Sequence, residues 1–562
     1  MVVKIITNYS NKNNKTTLIN IMTNRYNPIM YLFAKFEQTA ATQPDKPALI
    51  YFDKTGWKTL TYASLLDKTH RFLTGLSACS LTPSLTAAVM TPPSLEFFPF
   101  ALALLKFGII PIILDPAVGL RKVGEILEES KPDIFIGNTL THALRILFGW
   151  GRTSIKYNLT IQSVKSQKSK VVQPTPNSQF TNLPITNSAA IIYTSGSTGL
   201  PKGAIYTQSN LAAQLDLFQN TFNISQDEID LPAFPLYALI DVLLGVTSVI
   251  PDITFPVPGK TDPAKVIGAI QKFNVTNMFA SPVVLDILSS FAENNHSSSR
   301  PILLSSLKRI ITAGAPATID LQNRFRKLLD DHTDLFGIYG ATETLPIAKV
   351  ESREIFSLKE KIENGAGICL GKPIEGVTAR IIPITDEPIA EWQDSLKVES
   401  NVVGEITVQS PATTRGYIQR EDADRISKIA YRGEIIHRMG DVGCFDDEGR
   451  LWYCGRKSHR VITKDGVLFT EQIENIFNAH PFVHRAALVG VDGEPVLWVA
   501  LKRNARTNKD KMRRELMDLA KFHPQAARIK TFLFMKKFPT DARHNSKIIR
   551  EELKARAEKR LV

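Results

Sequence analysis

Short apolar runs alternate with helical patterns along the first two thirds of the chain. Each run has the length and composition of a buried parallel strand. The runs lie at residues 86–90, 109–114, 133–137, 275–282, 307–316 and 334–343. A helical stretch precedes each of the last three, so the pattern predicts an α/β fold with two βαβ-type sub-domains. Ligand-binding groups are then expected at the carboxyl ends of the strands.

Two regions have other patterns. From 367 to 453 short strands and turns dominate, which predicts a small β-barrel part that follows the two sub-domains. At the other end, residues 1–29 contain no Asp or Glu, and Asn and Lys dominate from 8 to 15. These features predict a disordered basic extension over 1–29, because the segment lacks the apolar pattern that would join it to a core.

Composition and charge limit the classes of function. A chain of 562 residues is expected to form two or more domains, and 43% hydrophobic with 22% charged residues is typical of soluble globular proteins. The net charge is +13, and residues 456–562 hold 24 Lys and Arg against 12 Asp and Glu. No aromatic-rich recognition motif accompanies these charges, so nucleic acid is not expected as a partner. A small basic domain that closes over an anionic ligand accounts for them, and peripheral membrane contact stays open.

Two features of the sequence predict the cellular location of the protein. The most apolar stretch, 97–114, is interrupted by Lys106, Gly108 and two prolines. It predicts a buried helix, a turn and a buried strand, and we expect no transmembrane span. The four cysteines lack metal-ligand spacing and indicate a reducing, cytoplasmic compartment.

The stretch YTSGSTGLPKG, from Tyr193 to Gly203, has the composition of a phosphate-binding loop. Glycines let backbone N–H groups approach an anion, hydroxyls add donors, and Lys202 adds a positive charge. The candidate donors are Thr194, Ser195, Gly196, Ser197, Thr198 and Gly199. The loop follows an apolar strand and precedes a helix expected to begin near Gln208, so the sequence predicts polyphosphate binding. The spacing differs from that of the Walker-type loop, in which Ser or Thr follows the lysine.

Five motifs together resemble the adenylate-forming family, which includes acyl-CoA synthetases, luciferases and the adenylation domains of non-ribosomal peptide synthetases. They are YTSGSTGLPKG at 193–203, YGATE at 339–343, RMGD at 438–441, CGRKSHRVITKDG at 454–466 and HNSKIIREEL at 544–553. The resemblance implies an enzyme that joins a carboxylate to the α-phosphate of ATP, releases pyrophosphate and then transfers the acyl group. It also implies a large N-terminal domain over 30–455 and a small mobile α+β domain over 456–562 that rotates about Ser458.

The resemblance implies a role for each motif. Lys547 acts in adenylate formation, with Lys202 as a second catalytic cation. Glu343 is the Mg²⁺ ligand, and Thr342 hydrogen-bonds the α-phosphate. The rest of the ATP site is expected to contain Gly314, Ala315, Pro316, Tyr339, Gly340, Ala341, Asp441 and Arg456. Within that set Tyr339 faces the adenine and Asp441 accepts from the ribose hydroxyls. The motif of Lys547 departs from the family in lacking a glycine before the lysine.

Further details resemble one branch of the family, the β-lactone synthetases of bacterial long-chain olefin biosynthesis. They include FPLYALID at 234–241, where a histidine beside the acyl pocket is usual, and FPTDARHNSKIIREEL at 538–553. This resemblance implies that a long-chain 2-alkyl-3-hydroxy acid is adenylated and closed to a β-lactone by its own hydroxyl, so coenzyme A is not expected. A long-chain acyl-CoA or acyl-carrier ligase and a non-catalytic nucleotide-binding relative stay open as alternatives. Partner enzymes of the same lipid pathway are a further expectation.

Overall fold

The computed structural model of the protein describes residues 28–114, 118–166, 187–194, 201–295, 302–502, 505, 507–540 and 547–561. Its α-helices are Pro28–Thr42, Tyr62–Ala78, Phe97–Phe107, Leu120–Ser130, Thr139–Phe148, Ile161–Lys165, Gln208–Phe222, Ala238–Leu244, Pro263–Phe273, Pro282–Asn294, Ile319–Arg326, Ser352–Ser357, Lys359–Lys361, Glu421–Ser427, Thr470–Asn478, Lys509–Lys521 and Arg550–Leu561. Its strands are β1 (Pro47–Asp53), β2 (Gly56–Thr61), β3 (Thr86–Met90), β4 (Ile110–Ile113), β5 (Ile134–Gly137), β6 (Tyr157–Leu159), β7 (Ser188–Tyr193), β8 (Gly203–Thr207), β9 (Ile229–Pro232), β10 (Thr247–Ile250), β11 (Asn277–Ala280), β12 (Arg309–Thr312), β13 (Asp334–Ala341), β14 (Thr344–Glu351), β15 (Ile368–Pro373), β16 (Thr378–Ile382), β17 (Gly404–Gln409), β18 (Lys428–Tyr431), β19 (Glu434–Phe445), β20 (Leu451–Arg456), β21 (Val461–Thr463), β22 (Gly466–Leu468), β23 (Val483–Val491), β24 (Glu494–Leu501) and β25 (Thr531–Met535). The extension predicted over 1–29 lies outside the described residues, except for its last two.

One large sheet has six strands, in the order β6–β5–β3–β4–β7–β8. Neighbours from β6 to β7 are parallel, and β8 turns back antiparallel to β7. The runs predicted at 86–90, 109–114 and 133–137 are β3, β4 and β5, as expected for the first βαβ-type sub-domain. The carboxyl ends of these strands meet at the edge from which the chain leaves β7.

The other large sheet has fourteen strands and contains the second predicted series. Its order is β16–β17–β19–β20–β15–β14–β13–β12–β11–β9–β10–β1–β2, with β18 beside β19. Strand β15 pairs with β14 on one side and with β20 on the other. The strands after residue 367 therefore pair mainly with one another and are linked to β14 through β15, and the barrel form of this part stays a prediction. An alternating pattern shows which face of a strand is buried, but it does not show which strand lies beside it.

The two large sheets are joined by the segment between β17 and β18. The Ile205 amide on β8 donates to the Gly416 carbonyl at 3.0 Å, and the Ile418 amide donates to the Gly203 carbonyl at 2.9 Å. Between these bonds Tyr417 lies opposite Ala204 as an antiparallel bridge. The segment thus places Tyr417 between the two sheets.

The apolar stretch 97–114 folds as predicted. Helix Phe97–Phe107 lies in the core, with Phe98 and Phe100 fully buried. Gly108 ends the helix with a φ of 84°, a left-handed conformation that favours glycine, and β4 follows. Across the described part of the chain, no helix combines the length and the apolar character needed to cross a bilayer.

The C-terminal part contains a small sheet of β23, β24 and β25, covered by helices Thr470–Asn478 and Lys509–Lys521. The Trp498 indole N–H donates to the Leu553 carbonyl at 3.0 Å, which ties the last helix to the sheet. This is the α+β arrangement expected for the end of the chain. The division of the chain at residue 455 stays a prediction.

Candidate active site

The loop predicted to bind phosphate lies in the sequence between β7 and β8, which pair as antiparallel neighbours. At its base the Thr194 amide donates to the Lys202 carbonyl at 2.9 Å, and the Lys202 amide donates to Thr194 Oγ1 at 3.3 Å. The helix begins at Gln208 as predicted, and the short strand β8 lies between it and the loop. The predicted donors Ser195, Gly196, Ser197, Thr198 and Gly199 lie outside the described residues.

Thr342 and Glu343 form the turn between β13 and β14, called here the Glu343 turn. The Tyr417 hydroxyl donates to Glu343 Oε1 at 2.5 Å, and the Thr414 amide donates to the Glu343 carbonyl at 2.8 Å. The Tyr206 hydroxyl donates to the Thr342 carbonyl. Within the described residues no cluster of three or more His, Cys, Asp and Glu could hold a metal alone. A single oriented carboxylate fits Mg²⁺ that phosphate oxygens also coordinate.

A buried lysine lies behind the Glu343 turn. Lys428 is 8% exposed, and its Nζ donates to the Thr414 carbonyl at 2.6 Å. Burial lowers the pKa of Lys428 to about 8, although the charge of Glu343 acts in the opposite direction. The ammonium groups of Lys428 and Lys202 lie 5.4 and 5.3 Å from the centre of the Tyr417 ring. The Glu343 turn therefore lies beside two positive charges, which is the environment that phosphate groups need.

Asp441 on β19 lies opposite Arg456 on β20. The Tyr339 hydroxyl donates to Asp441 Oδ2 at 2.7 Å, and Arg456 Nη1 lies 3.0 Å from Oδ1. Despite this close charge, Oδ1 is buried and accepts no hydrogen bond from any described residue. The charge of Arg456 offsets the burial of this oxygen, and its lone pairs stay free of hydrogen bonds from the described residues. A ribose hydroxyl could donate to Oδ1, so the carboxylate fits the predicted ribose site.

Lys547 comes from the C-terminal part but lies close to the same carboxylate. Burial raises the pKa of Asp441, and the charges of Arg456 and Lys547 act against this shift, which requires their cations to be near. The negative charge of Glu343 raises the same pKa. Lys547 and Glu343 thus both lie within electrostatic reach of Asp441, and a shared role at one ATP site stays a prediction.

The predicted hinge residue Ser458 is exposed in a single 3₁₀ turn. On one side of it, Lys457 Nζ donates to the Thr385 carbonyl at 2.8 Å. On the other side, Arg460 donates to Asp386 Oδ2 at 2.8 Å. Both neighbours are thus held to the same loop of the N-terminal part, and the hinge role of Ser458 stays a prediction.

The remaining predicted residues lie at strand ends. Gly314, Ala315 and Pro316 follow β12, and Gly314 has a φ of 93°, which favours glycine. Gly340 and Ala341 end β13, where a side chain at 340 would meet the Leu345 side chain. Backbone conformation and packing account for the two glycines, and contact of these five residues with ATP stays a prediction.

Aromatic side chains form a cluster beside β13, called here the aromatic cluster. Tyr237 stacks on Phe279 with ring centres 3.8 Å apart and an interplanar angle of 20°. Phe218 and Phe234 meet the same tyrosine edge-on, at 6.4 and 6.1 Å. The cluster also contains Phe222, Ile311, Phe336, Ile338 and Leu345. Such an apolar surface next to the polar groups is suited to an acyl chain.

The family is shown by comparison with known proteins. The profile of the AMP-binding enzyme family matches residues 36–418, well over half of the chain. This chain belongs to the AMP-binding enzymes. It is therefore an ATP-dependent, adenylate-forming enzyme, and the prediction from the five motifs is confirmed.

Similar AMP-binding enzymes and structures extend this result. The chain is 38% identical over 515 residues to an olefin β-lactone synthetase of Xanthomonas campestris pv. campestris, with 88% of this chain and 90% of the relative covered. It is 36% identical over 520 residues to the enzyme of that name from Stenotrophomonas maltophilia, with the same coverage. The structure of O-succinylbenzoate coenzyme A synthetase from Bacillus subtilis with ATP and magnesium ion has a TM-score of 0.71 at 22% identity and covers 92% of this chain and 98% of that chain. The likeness confirms the mixed α/β fold with large N-terminal sheets and a small C-terminal sheet.

Three residues of the site were missed by sequence reasoning. Tyr206 lies on β8, where the alternation of the strand after the loop could have indicated an inward side chain. Tyr417 and Lys428 lie between motifs in the sequence. A lysine is almost never expected to be buried, so the sequence contained no signal for Lys428.

Proposed function

We propose that this AMP-binding enzyme activates a long-chain 2-alkyl-3-hydroxy acid as its acyl-AMP and converts it to a β-lactone. The observation that carries the proposal is the 38% and 36% identity, over 88% of the chain, to two olefin β-lactone synthetases. The aromatic cluster supports an apolar substrate. Because the family also contains thioester-forming enzymes, the choice of product rests on the two relatives.

In the first half-reaction the carboxylate of the acid attacks the α-phosphorus of ATP, and pyrophosphate leaves. Both reactants are anions, so positive charge must offset their repulsion. Lys547, which lies near Asp441, contacts the carboxylate and the α-phosphate in this proposal. Lys202, at the base of the loop, adds a second cation. Thr342 contributes a hydroxyl to the α-phosphate.

The nucleotide is held by its ribose and its phosphates. Asp441 offers its buried Oδ1 to a ribose hydroxyl, while Tyr339 fixes Oδ2. Glu343 is the residue that would hold Mg²⁺, and Tyr417 orients its carboxylate. Bound Mg²⁺ would neutralise phosphate charge and make pyrophosphate a better leaving group.

In the second half-reaction the 3-hydroxyl oxygen attacks the acyl carbonyl of the same molecule. The new C–O bond closes a four-membered ring, the bond from the carbonyl carbon to the AMP oxygen breaks, and AMP leaves as the hydroxyl loses its proton. Since the nucleophile is already bound, no coenzyme A is needed, and proximity supplies a high effective concentration. The apolar walls keep water away from the acyl-AMP until the ring has closed.

Product analysis by mass spectrometry tests the proposal. The full chain is incubated with ATP, Mg²⁺ and a long-chain 2-alkyl-3-hydroxy acid, with and without coenzyme A. We expect AMP, pyrophosphate and a β-lactone in equal amounts, at a rate that coenzyme A does not change. The matched control is the same acid without its 3-hydroxyl, which should yield acyl-AMP or free acid and no lactone.

Efficient conversion of the control acid to a coenzyme A thioester would overturn the proposed product and favour an acyl-CoA ligase. A second outcome would also be informative. If Lys547→Ala loses pyrophosphate release while the wild type forms a coenzyme A thioester, the proposed first half-reaction is retained and the proposed second one is rejected. The two half-reactions are thus tested separately.

A further inference from the structure

One helix, Thr139–Phe148, exposes apolar side chains in a continuous stripe. The exposed fractions are 66% for Leu140, 67% for Ile146, 75% for Leu147 and 51% for Phe148. With 3.6 residues per turn, Leu140, Ala143, Ile146 and Leu147 fall within an arc of about 120°. These four residues, together with Phe148 beside them, are called the outer stripe. An amphipathic helix on a globular protein normally turns such a face toward the core.

The polar face of the same helix packs on the protein. The His142 ring meets Phe135 edge-on at 5.0 Å, and His142 Nε2 lies 3.0 Å from the Leu159 carbonyl oxygen. The Arg145 guanidinium lies over the Phe135 ring at 5.6 Å. These contacts fix the rotation of the helix about its axis, so the outer stripe is held toward solvent by the fold.

The sequence that contains and follows the outer stripe is rich in basic residues. From residue 134 to residue 215 the sequence contains no Asp or Glu and seven basic residues. They are Arg145, Arg152, Lys156, Lys165, Lys168, Lys170 and Lys202. Lys156 and Lys165 form ion pairs with Asp133 and Glu96, Lys168 and Lys170 lie outside the described residues, and Lys202 lies at the candidate active site. Arg145 and Arg152 are therefore the cations placed at the helix. Arg152 is exposed, and its guanidinium lies against Gly149 at the end of the helix. Apolar side chains next to cations are typical of a surface that lies on anionic lipid.

The size of the outer stripe argues against a stable protein partner. A helix of ten residues is about 15 Å long and about 10 Å wide, so its outer face is on the order of 150 Å². A specific protein interface needs about 800 Å² on each partner. A bilayer surface has no such minimum, because each inserted side chain contributes separately.

We propose that the outer stripe docks this enzyme on the surface of a bilayer that contains anionic lipids, with Arg152 at the level of the headgroups. The helix lies in the interface plane and does not cross the bilayer. The inference rests on the helix and the charge around it, and it holds whichever product the enzyme forms. An amphiphilic acid substrate would reach a docked enzyme from the same surface.

Vesicle co-sedimentation of the full chain, without ATP or acid, tests the proposal. We expect binding to vesicles of phosphatidylcholine mixed with phosphatidylglycerol and much weaker binding to phosphatidylcholine alone. For the double variant Ile146→Gln/Leu147→Gln, the affinity for the anionic vesicles should fall about tenfold or more. Phe522→Gln is the matched control, because Phe522 is 82% exposed on another part of the surface and its loss should leave binding unchanged. Arg152→Gln should reduce the preference for the anionic vesicles.

Equal binding by the double variant and the wild type would overturn the proposal, and so would a wild type that binds neither kind of vesicle. A wild-type dimer in analytical ultracentrifugation that becomes a monomer in the double variant would also overturn it, because a second copy would then cover the outer stripe. Melting temperatures within about one degree of wild type are expected for all three variants, since the replaced side chains make few buried contacts.

Discussion

The nucleotide side and the aromatic side of the candidate site share one strand but are built differently. On β13 the Tyr339 hydroxyl reaches Asp441, whereas Phe336 and Ile338 belong to the aromatic cluster. Successive side chains of a strand point to opposite faces, so the pleat of β13 separates the polar region from the apolar one. The boundary between ATP and the acyl chain is therefore expected to follow this strand.

The two sides should differ in the effect of amino-acid substitutions. The nucleotide side depends on directional contacts to buried groups, such as the 2.5 Å bond from Tyr417 to Glu343. Leaving a buried polar group without its partner costs about 1–3 kcal/mol. The aromatic side depends on ring contacts, each of which contributes about 0.5–1.5 kcal/mol beyond area burial. Substitutions should therefore give large, specific losses on the first side and graded losses on the second.

The largest effect is expected from Lys547→Ala. Removing the ammonium group leaves the repulsion between carboxylate and phosphate without an offset, so pyrophosphate release should fall about 100-fold or more, which is ~2.7 kcal/mol of barrier. The measurement is the rate of pyrophosphate release at saturating ATP. Lys554→Ala is the matched control, because that lysine lies on the last helix with its side chain 56% exposed. A Lys547→Ala rate within about tenfold of wild type would remove this lysine from the first half-reaction.

A smaller effect is expected from Glu343→Gln on the same side. The amide retains the shape of the carboxylate but loses its charge, so the Mg²⁺ concentration for half-maximal rate should rise about tenfold. Tyr417→Phe should shift it less but in the same direction, because only the orienting hydroxyl is lost. An identical Mg²⁺ titration in wild type and Glu343→Gln would exclude Glu343 as the metal ligand.

On the aromatic side, Tyr237→Leu should act on the acid alone. It removes the stacked contact with Phe279, and we expect the KM for the acid to rise about two- to tenfold with the KM for ATP unchanged. Tyr237→Phe retains the ring and should show a smaller change. Parallel increases in both KM values would mean that the two sides are not separated by β13.

The smallest effect concerns stability and Lys428. The pKa of Lys428 is about 8 in the folded protein, below its ordinary value of 10.5, because burial disfavours the charged form. Between these two values the unfolded chain binds more protons, so this group adds stability as the pH rises. The melting temperature of wild type should therefore increase relative to that of Lys428→Met between about pH 7.5 and about pH 10. A constant difference across this range would contradict the lowered pKa.

The nucleotide side and the aromatic side also differ in how much of each could be predicted from the sequence. Lys202, Glu343, Asp441 and Lys547 each occur in a short motif, so these candidate charged groups can be selected from the sequence alone, and their contact with the nucleotide stays a prediction. The aromatic cluster is assembled from helices and strands that are far apart in the sequence, as Phe218 and Phe336 illustrate. Apolar residues in such elements predict a core, and only the tertiary arrangement shows which of them border a site.

The pairing of the strands also depends on the tertiary arrangement and could be predicted only in part. The apolar runs of β3, β11 and β13 were found because a buried parallel strand is short and apolar by itself. The partner of β15 depends on which sheet edge is free after β13 and β14 have formed, so the sequence pattern did not show that β15 would pair with both β14 and β20. Lys428 was missed for a related reason, since its burial depends on the contact with Tyr417 and Thr414.

The antiparallel bridge at Tyr417 should couple the unfolding of the two large sheets. Because Ile205 and Ile418 donate across the junction of the two large sheets, neither sheet can separate without breaking both bonds. The two sheets should therefore unfold as one cooperative unit, although each has its own apolar core. In native-state hydrogen exchange these two amides should exchange together, at the rate set by global opening, well after the amides of the C-terminal sheet. The enzyme would thus keep β8 and the Glu343 turn in register through every local fluctuation that leaves this junction closed.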